Sequence, residues 1–183
     1  MRPCLVPLHS DRIPSVDIDL NQFREMHAKL GAAQASTMVE RAAFALERNA
    51  HKPGVRVSLD LERVLSIGFL SWPSADMSKI EQHDHNRITE DGAEAVALVL
   101  AHRHRAWRII RRMQRGGRAD WLLEDARGGT VALEVSGVDR GSIATRLSEK
   151  LKQVGKSADV DQRWASVVGF EEPTAALRSI RSY

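Results

Sequence analysis

Ala119-Asp120-Trp121-Leu122-Leu123 reads as a strand, and Thr130-Val131-Ala132-Leu133-Glu134-Val135-Ser136-Gly137 reads as the next one after a turn through Gly128-Gly129. Glu134 lies inside an otherwise apolar run. An unpaired buried carboxylate costs several kcal/mol even after relaxation, so something must compensate it, and a metal ion is one such partner. If the two strands pair, Asp120 and Glu134 can share one face and hold one cation.

Working outward, residues 89–103 form an expected helix, with Thr89 as N-cap, Glu90 and Asp91 in its first turn, and Ala93, Val96, Ala97, Leu100 and His104 along one face. Residues 107–113 read as a strand that turns at Gly116-Gly117. After the Glu134 strand, residues 141–154 read as an amphipathic helix with Ile143, Leu147, Leu151 and Val154 inward. Residues 164–170 are a continuous apolar strand of the kind covered on both faces. Pro173 is expected to open a short last helix containing Ala175, Ala176, Leu177 and Ile180. Upstream, helices are expected over 17–30 and 36–49, strands over 55–59 and 64–70, and a loop over 71–86. The chain thus reads as an α/β protein. A helical and hairpin extension over residues 1–86 precedes an α/β core with a mixed central sheet over 87–183.

The 183 residues suit one domain, and a net charge of +3 is unremarkable. Its distribution is informative. Arginines stand at 103, 105, 108, 111, 112, 115 and 118 with no acid between them, whereas Asp120, Glu124, Asp125, Glu134 and Asp139 follow with Arg127 as the sole cation. A basic stripe beside an acidic pocket suits a polyanion held next to a bound cation. The single Cys4 excludes a disulfide framework or a cysteine-rich zinc site within one chain. With no signal-like start and no run approaching the ~18 apolar residues of a spanning helix, the chain is expected to be cytoplasmic and off the membrane.

The order helix, three strands, helix, strand, with Asp120 on the second strand and Glu134 on the third, resembles the core of the PD-(D/E)XK, or restriction-endonuclease-like, nuclease superfamily. The resemblance covers roughly residues 87–170. It implies an αβββαβ core and a metal-dependent nuclease that hydrolyses phosphodiester bonds, with magnesium or manganese held by Asp120, Glu134 and the helix acid Glu90, Glu94 being the less favoured choice. Defence, mobile-element or repair biology is the setting it suggests. Where the family usually carries Lys two residues after the third-strand acid, this chain has Ser136. Arg146, Lys150 and Gln153 fall on one face of the next helix, so Lys150 is the candidate replacement cation and Gln153 an orienting contact. Ser136 remains able to hydrogen-bond a water or a phosphate.

DNA is the expected partner, RNA the second choice, with Arg108, Arg111, Arg112, Arg115, Arg118 and Arg146 on the phosphate backbone. The alternative is a catalytically inactive module of the same fold that binds nucleic acid or a protein. A homodimer or protein contact through the N-terminal helices is a further expectation. His83 and His85 lie in a polar loop at a spacing that is weak for metal binding, and Trp107, Trp121 and Trp164 are expected to pack.

Overall fold

The computed structural model describes residues 16–114 and 118–180. Its elements run β1 (Ile18–Asp19), α1 (Phe23–Met26), α2 (Ala32–Glu47), β2 (Val55–Leu61), β3 (Val64–Ser71), α3 (His85–Arg105), β4 (Arg108–Arg112), β5 (Trp121–Glu124), β6 (Thr130–Val138), α4 (Ile143–Val154), β7 (Gln162–Gly169) and β8 (Thr174–Ser179). The protein is mixed α/β. Its eight strands form one mixed sheet in the order β1-β3-β2-β8-β7-β6-β5-β4. The pairs β1/β3, β2/β8 and β6/β7 are parallel and the others antiparallel.

One face of the sheet packs on α3, which is backed by α2; the other packs on α4. Alternation along β6 sorts its side chains accordingly. Val131, Leu133 and Val135 join the larger core under α3, while Ala132 joins the smaller core under α4. Residues 88–101 of α3 are buried except Glu90, because this helix is covered on two sides. A Cβ on Gly92 would come within 2.9 Å of the Ala42 Cα, so the absent side chain is what lets α2 and α3 approach. Among the described residues no helix is long and apolar enough to cross a membrane.

Three expectations are corrected. The last helix is instead β8, seated between β7 and β2 in the middle of the sheet. Ala175-Ala176-Leu177 is too short a run for its period to separate helix from strand, and both faces of a covered strand accept apolar residues. The helix over 17–30 breaks into β1, a 3-10 turn (Leu20–Gln22) and α1. The Asp19 carboxylate accepts from the Asn21 amide, and His27 leaves helical geometry, yet the expected face stays inward, with Leu20, Phe23, His27 and Leu30 buried. Finally, α3 starts a turn early: Asp84 caps it by accepting from the Arg87 amide, and the loop before it carries a 3-10 turn (Met77–Gln82).

His27 is 3% exposed, and neither ring nitrogen has a hydrogen-bond partner among the described residues. It packs edge-on against Phe23 and His102. Burial, and then the neighbouring His102, lowers its pKa from 6.5 to about 4. The unfolded chain therefore takes up this proton before the folded one does, and stability is lost as pH falls from 6.5 towards 4. The wild type should lose roughly 3 kcal/mol over that window through His27. Urea unfolding at several pH values should show a His27→Gln variant lacking that part of the slope.

Candidate functional site

The ladder between β5 and β6 starts at Trp121 opposite Leu133. Asp120, one residue earlier, keeps the strand line: its amide donates to the Leu133 carbonyl at 3.1 Å, and its carbonyl accepts from the Met113 amide at 2.8 Å. It therefore stands opposite Glu134, on the face that carries α4. The ladder has no pair beyond Trp121, and the Val135 amide donates instead to Asp120 Oδ2 at 2.8 Å. That bond fixes the carboxylate at the sheet's end.

Glu134 is 2% exposed. Lys150 reaches it from α4, Nζ to Oε1 at 2.6 Å, and also donates to Gln153 Oε1 at 3.3 Å. One turn earlier on α4, Arg146 Nε donates to Ser136 Oγ at 2.9 Å. The expected α4 face is thus assembled, and Ser136 is the acceptor that orients Arg146. From α3, Glu94 Oε1 accepts from Arg112 Nη2 at 2.7 Å, while Glu94 Oε2 is buried with no hydrogen-bond partner among the described residues. Arg112 also lies over the Trp121 ring, 5.4 Å from its centroid. Asp91, one turn before Glu94, pairs with Arg41 of α2.

Burial holds these acids away from their ordinary ionisation, and at Glu94 and Glu134 neighbouring acids add to it. Burial raises the Glu94 pKa from 4.5 to about 8, with Asp120 and Asp91 adding to the rise and Arg112 opposing it. Burial, then the Asp120 charge, raises Glu134 from 4.5 to about 7 against the pull of Lys150. Asp120 is also raised, chiefly by burial, with the Val135 amide, Lys150 and Arg112 opposing. Three carboxyls are thus held towards protonation, chiefly by burial, although Lys150 and Arg112 oppose it.

They open into a cavity of about 520 Å³, whose cationic walls are Arg87, Arg112, Arg118, Arg146 and Lys150. A neighbouring cleft of about 670 Å³ shares Glu90, Ser136 and Arg146 with it and extends over Thr89 and Asp139. Glu90 is exposed at the rim of both, whereas Glu94 is the α3 acid held against Arg112. Arg108 and Arg111 are not among the cavity's lining residues, and Arg115 lies outside the described residues. Arg87 joins the site unforeseen; it precedes Glu90 and Glu94 by three and seven positions on one helical face. Glu94 carried its own signal, an acid inside the apolar run 93–101, which is the same anomaly that marks Glu134. The histidine pair is spent elsewhere: His83 packs on Phe44, and His85 lies beside Arg48 and Asp139. Trp107, Trp121 and Trp164 are buried.

Among the described residues no three His, Cys, Asp or Glu side chains are grouped closely enough to hold an ion. A magnesium-like cation asks for less, because it keeps several waters and takes one or two carboxylates from the protein. Asp120 and Glu134 would supply those, and the Glu94 oxygen that has no partner among the described residues is a donor of the same class on the cavity wall. The residues therefore fit a hard divalent ion. Compared with known protein families, with curated proteins and with solved structures, the chain matches none.

Proposed function

We propose that the protein is a metal-dependent nuclease that hydrolyses phosphodiester bonds in DNA. One observation carries the reading: two carboxylates, Asp120 and Glu134, lie opposite each other at the end of a strand pair, both pushed towards protonation, in a cavity that also carries Glu90 and Glu94 and five arginine and lysine side chains. The order of α3, β4, β5, β6, α4 and β7 supports it, being that of a PD-(D/E)XK core. Asp120 and Glu134 would hold magnesium or manganese. The ion, when bound, polarises the phosphate and makes an attacking hydroxide available near neutral pH. Lys150, which donates to Glu134 and Gln153, would neutralise charge building up on the phosphate, with Gln153 steering its ammonium. Arg146, aligned by Ser136, and Arg112 and Arg118 bind the backbone without reading bases. Ser136 thus serves the site through Arg146, and Lys150 takes the role that a lysine at 136 would have had.

A second reading has its own observation. Lys150 already pairs with Glu134, which leaves less charge to attract an ion, and this favours a non-catalytic module that binds nucleic acid. Cleavage of labelled single- and double-stranded DNA with magnesium or manganese separates the two. The nuclease reading expects cleavage that falls by about 10²-fold or more in Lys150→Ala and is undetectable in Glu134→Ala. Binding that weakens with salt but yields no product in the wild type transfers the assignment to the binding module.

A further inference from the structure

Strand β4 is irregular at one place, and the irregularity aims two arginines. Its pairing with β5 runs Arg108 to Glu124 and Ile109 to Leu123, then slips by one residue, so that Arg111 stands opposite Leu122 and Arg112 opposite Trp121. Ile110 is the extra residue of this bulge. In an unbroken strand, residues 108 and 111 would point to opposite faces. The bulge puts both on one face, as bulges beside functional sites re-aim side chains elsewhere. That face is the one of Asp120 and Glu134. Leu122 stands opposite Ala132, which lies in the core under α4, whereas Ile109 and Leu123 belong to the core under α3.

A row therefore leads away from the acids along β5 and β4. Its first level is Asp120 with Met113, at the cavity; its second is Leu122 with Arg111; its third is Glu124 with Arg108. Alternate residues of a strand lie about 7 Å apart, close to the step between successive phosphates of an extended nucleic-acid strand. Arg108 and Arg111 are exposed, and neither has an ion-pair partner among the described residues. Glu124 is the acid of the row, and it offsets part of the charge of Arg108 opposite it. The next acid, Asp125, is held by the Arg127 and Gly129 amides and by Gln162. Arg111 has no acid at its level.

The row also selects the form of the nucleic acid. It follows an extended polypeptide strand, and its first level is recessed, with Glu134 only 2% exposed. The backbone of a duplex winds about its own axis and leaves such a row. Leu122 and Ile110 are half-buried beside the arginines and belong to neither core, so they offer apolar surface to sugars and unstacked bases, which a duplex keeps inside. We propose that the substrate is a single DNA strand, with the phosphate to be cut at Asp120 and Glu134 and the next two phosphates on Arg111 and Arg108. Which bond is cut rests on the nuclease reading; the track of the strand does not.

Two measurements test it. Anisotropy with calcium in place of magnesium compares a short fluorescent DNA strand with the blunt duplex of the same sequence. The single strand should bind at least about ten-fold more tightly. Each neutralised phosphate of a single strand adds about 0.7 to the salt slope, so Arg108→Ala with Arg111→Ala should lower the slope by about 1 or more, Arg111 giving the larger share. Arg56→Ala with Arg63→Ala removes two exposed arginines on the far half of the sheet and should leave the slope unchanged. The second measurement uses the wild type with magnesium and strands that carry one uncharged methylphosphonate linkage. Cleavage should fall by about ten-fold or more at the two bonds one and two steps to one side of that linkage. This one-sided pattern should vanish in the Arg108/Arg111 variant. A duplex bound as tightly as the strand, a slope unchanged in that variant, an equal loss in the Arg56/Arg63 control, or suppression alike on both sides of the neutral linkage overturns the proposal. No cleavage, with the binding results as expected, sinks the nuclease reading alone and leaves the strand on its track.

Discussion

Under the proposed nuclease reading Asp120→Asn should end metal-dependent cleavage and, at pH 8 without metal, the variant should be more stable than the wild type. The amide keeps an oxygen for the Val135 N–H, so the strand end need not rearrange. What is lost is a negative charge facing Glu134. That charge is part of why Glu134 ionises only near 7, and Asp120 also adds to the rise at Glu94. A carboxyl raised in this way binds its proton more tightly in the folded state. Its unfavourable contribution accumulates as pH climbs from the unfolded value of about 4.5 through the folded one. The substitution should therefore gain on the order of 1–3 kcal/mol above pH 7 and little at pH 5. Differential scanning fluorimetry in EDTA would read this as several degrees, at roughly 2–4 °C per kcal/mol for a chain of this size. The cleavage proposed for the protein should move the opposite way, falling on the order of 10³-fold or more if Asp120 supplies an oxygen to the ion. If Asp120 were merely half of a structural ion pair, the same change would cost stability at pH 8. That result, together with unchanged cleavage, would remove Asp120 from the site.

The acid pair was legible because strand alternation is strict. Once 119–123 and 130–137 are read as neighbouring strands, Asp120 and Glu134 fall on one face with no further information. The α4 face was legible for a similar reason, since Arg146, Lys150 and Gln153 repeat at helical spacing. The choice between Glu90 and Glu94 was not. It depended on where α3 begins, and Asp84 starts it one turn before Thr89, which carries Glu94 well into the buried helix and onto Arg112. Strand β8 was hidden because six residues carry too few periods to distinguish the two regular structures. The ties that set α2 against the rest, Arg41 with Asp91 and Arg48 with Asp139, join residues 50 and 91 positions apart. No local pattern announces such pairs, because each member alone looks like an ordinary surface charge.

Gly137→Ala should unfold the protein more readily and disable the site through α3. Gly137 sits in β6 opposite Val168 of β7, and α3 crosses directly over it at Thr89, at the start of its second turn. A Cβ there would stand 2.2 Å from the Thr89 carbonyl oxygen and 2.7 Å from Thr89 Cγ2, well inside contact distance. Thr89 has little freedom to withdraw. Its hydroxyl bonds Asp139 Oδ2 at 2.9 Å and accepts from Arg48 Nη2 at 2.8 Å, and Arg48 itself pairs with Asp139. The backbone must therefore give by about an ångström, or that polar knot must break. Overpacking of this kind costs about 1–3 kcal/mol, and the knot puts the expected loss at the upper end. Gly31→Ala is the matched control: a Cβ there meets nothing within 4 Å, and its change should stay within about 0.5–1 kcal/mol. Urea midpoints of the two variants measure the difference. The same displacement moves Glu90 and Glu94 on α3 relative to Asp120 and Glu134, and a shift of about 1 Å at a catalytic centre can cost about 10²-fold. Cleavage by Gly137→Ala, assayed at a temperature where circular dichroism shows it folded, should fall by about that factor while Gly31→Ala stays at the wild-type rate. Equal midpoints and equal rates for the two variants would mean that α3 is free to slide on β6, and that its acids are not held to the strand pair.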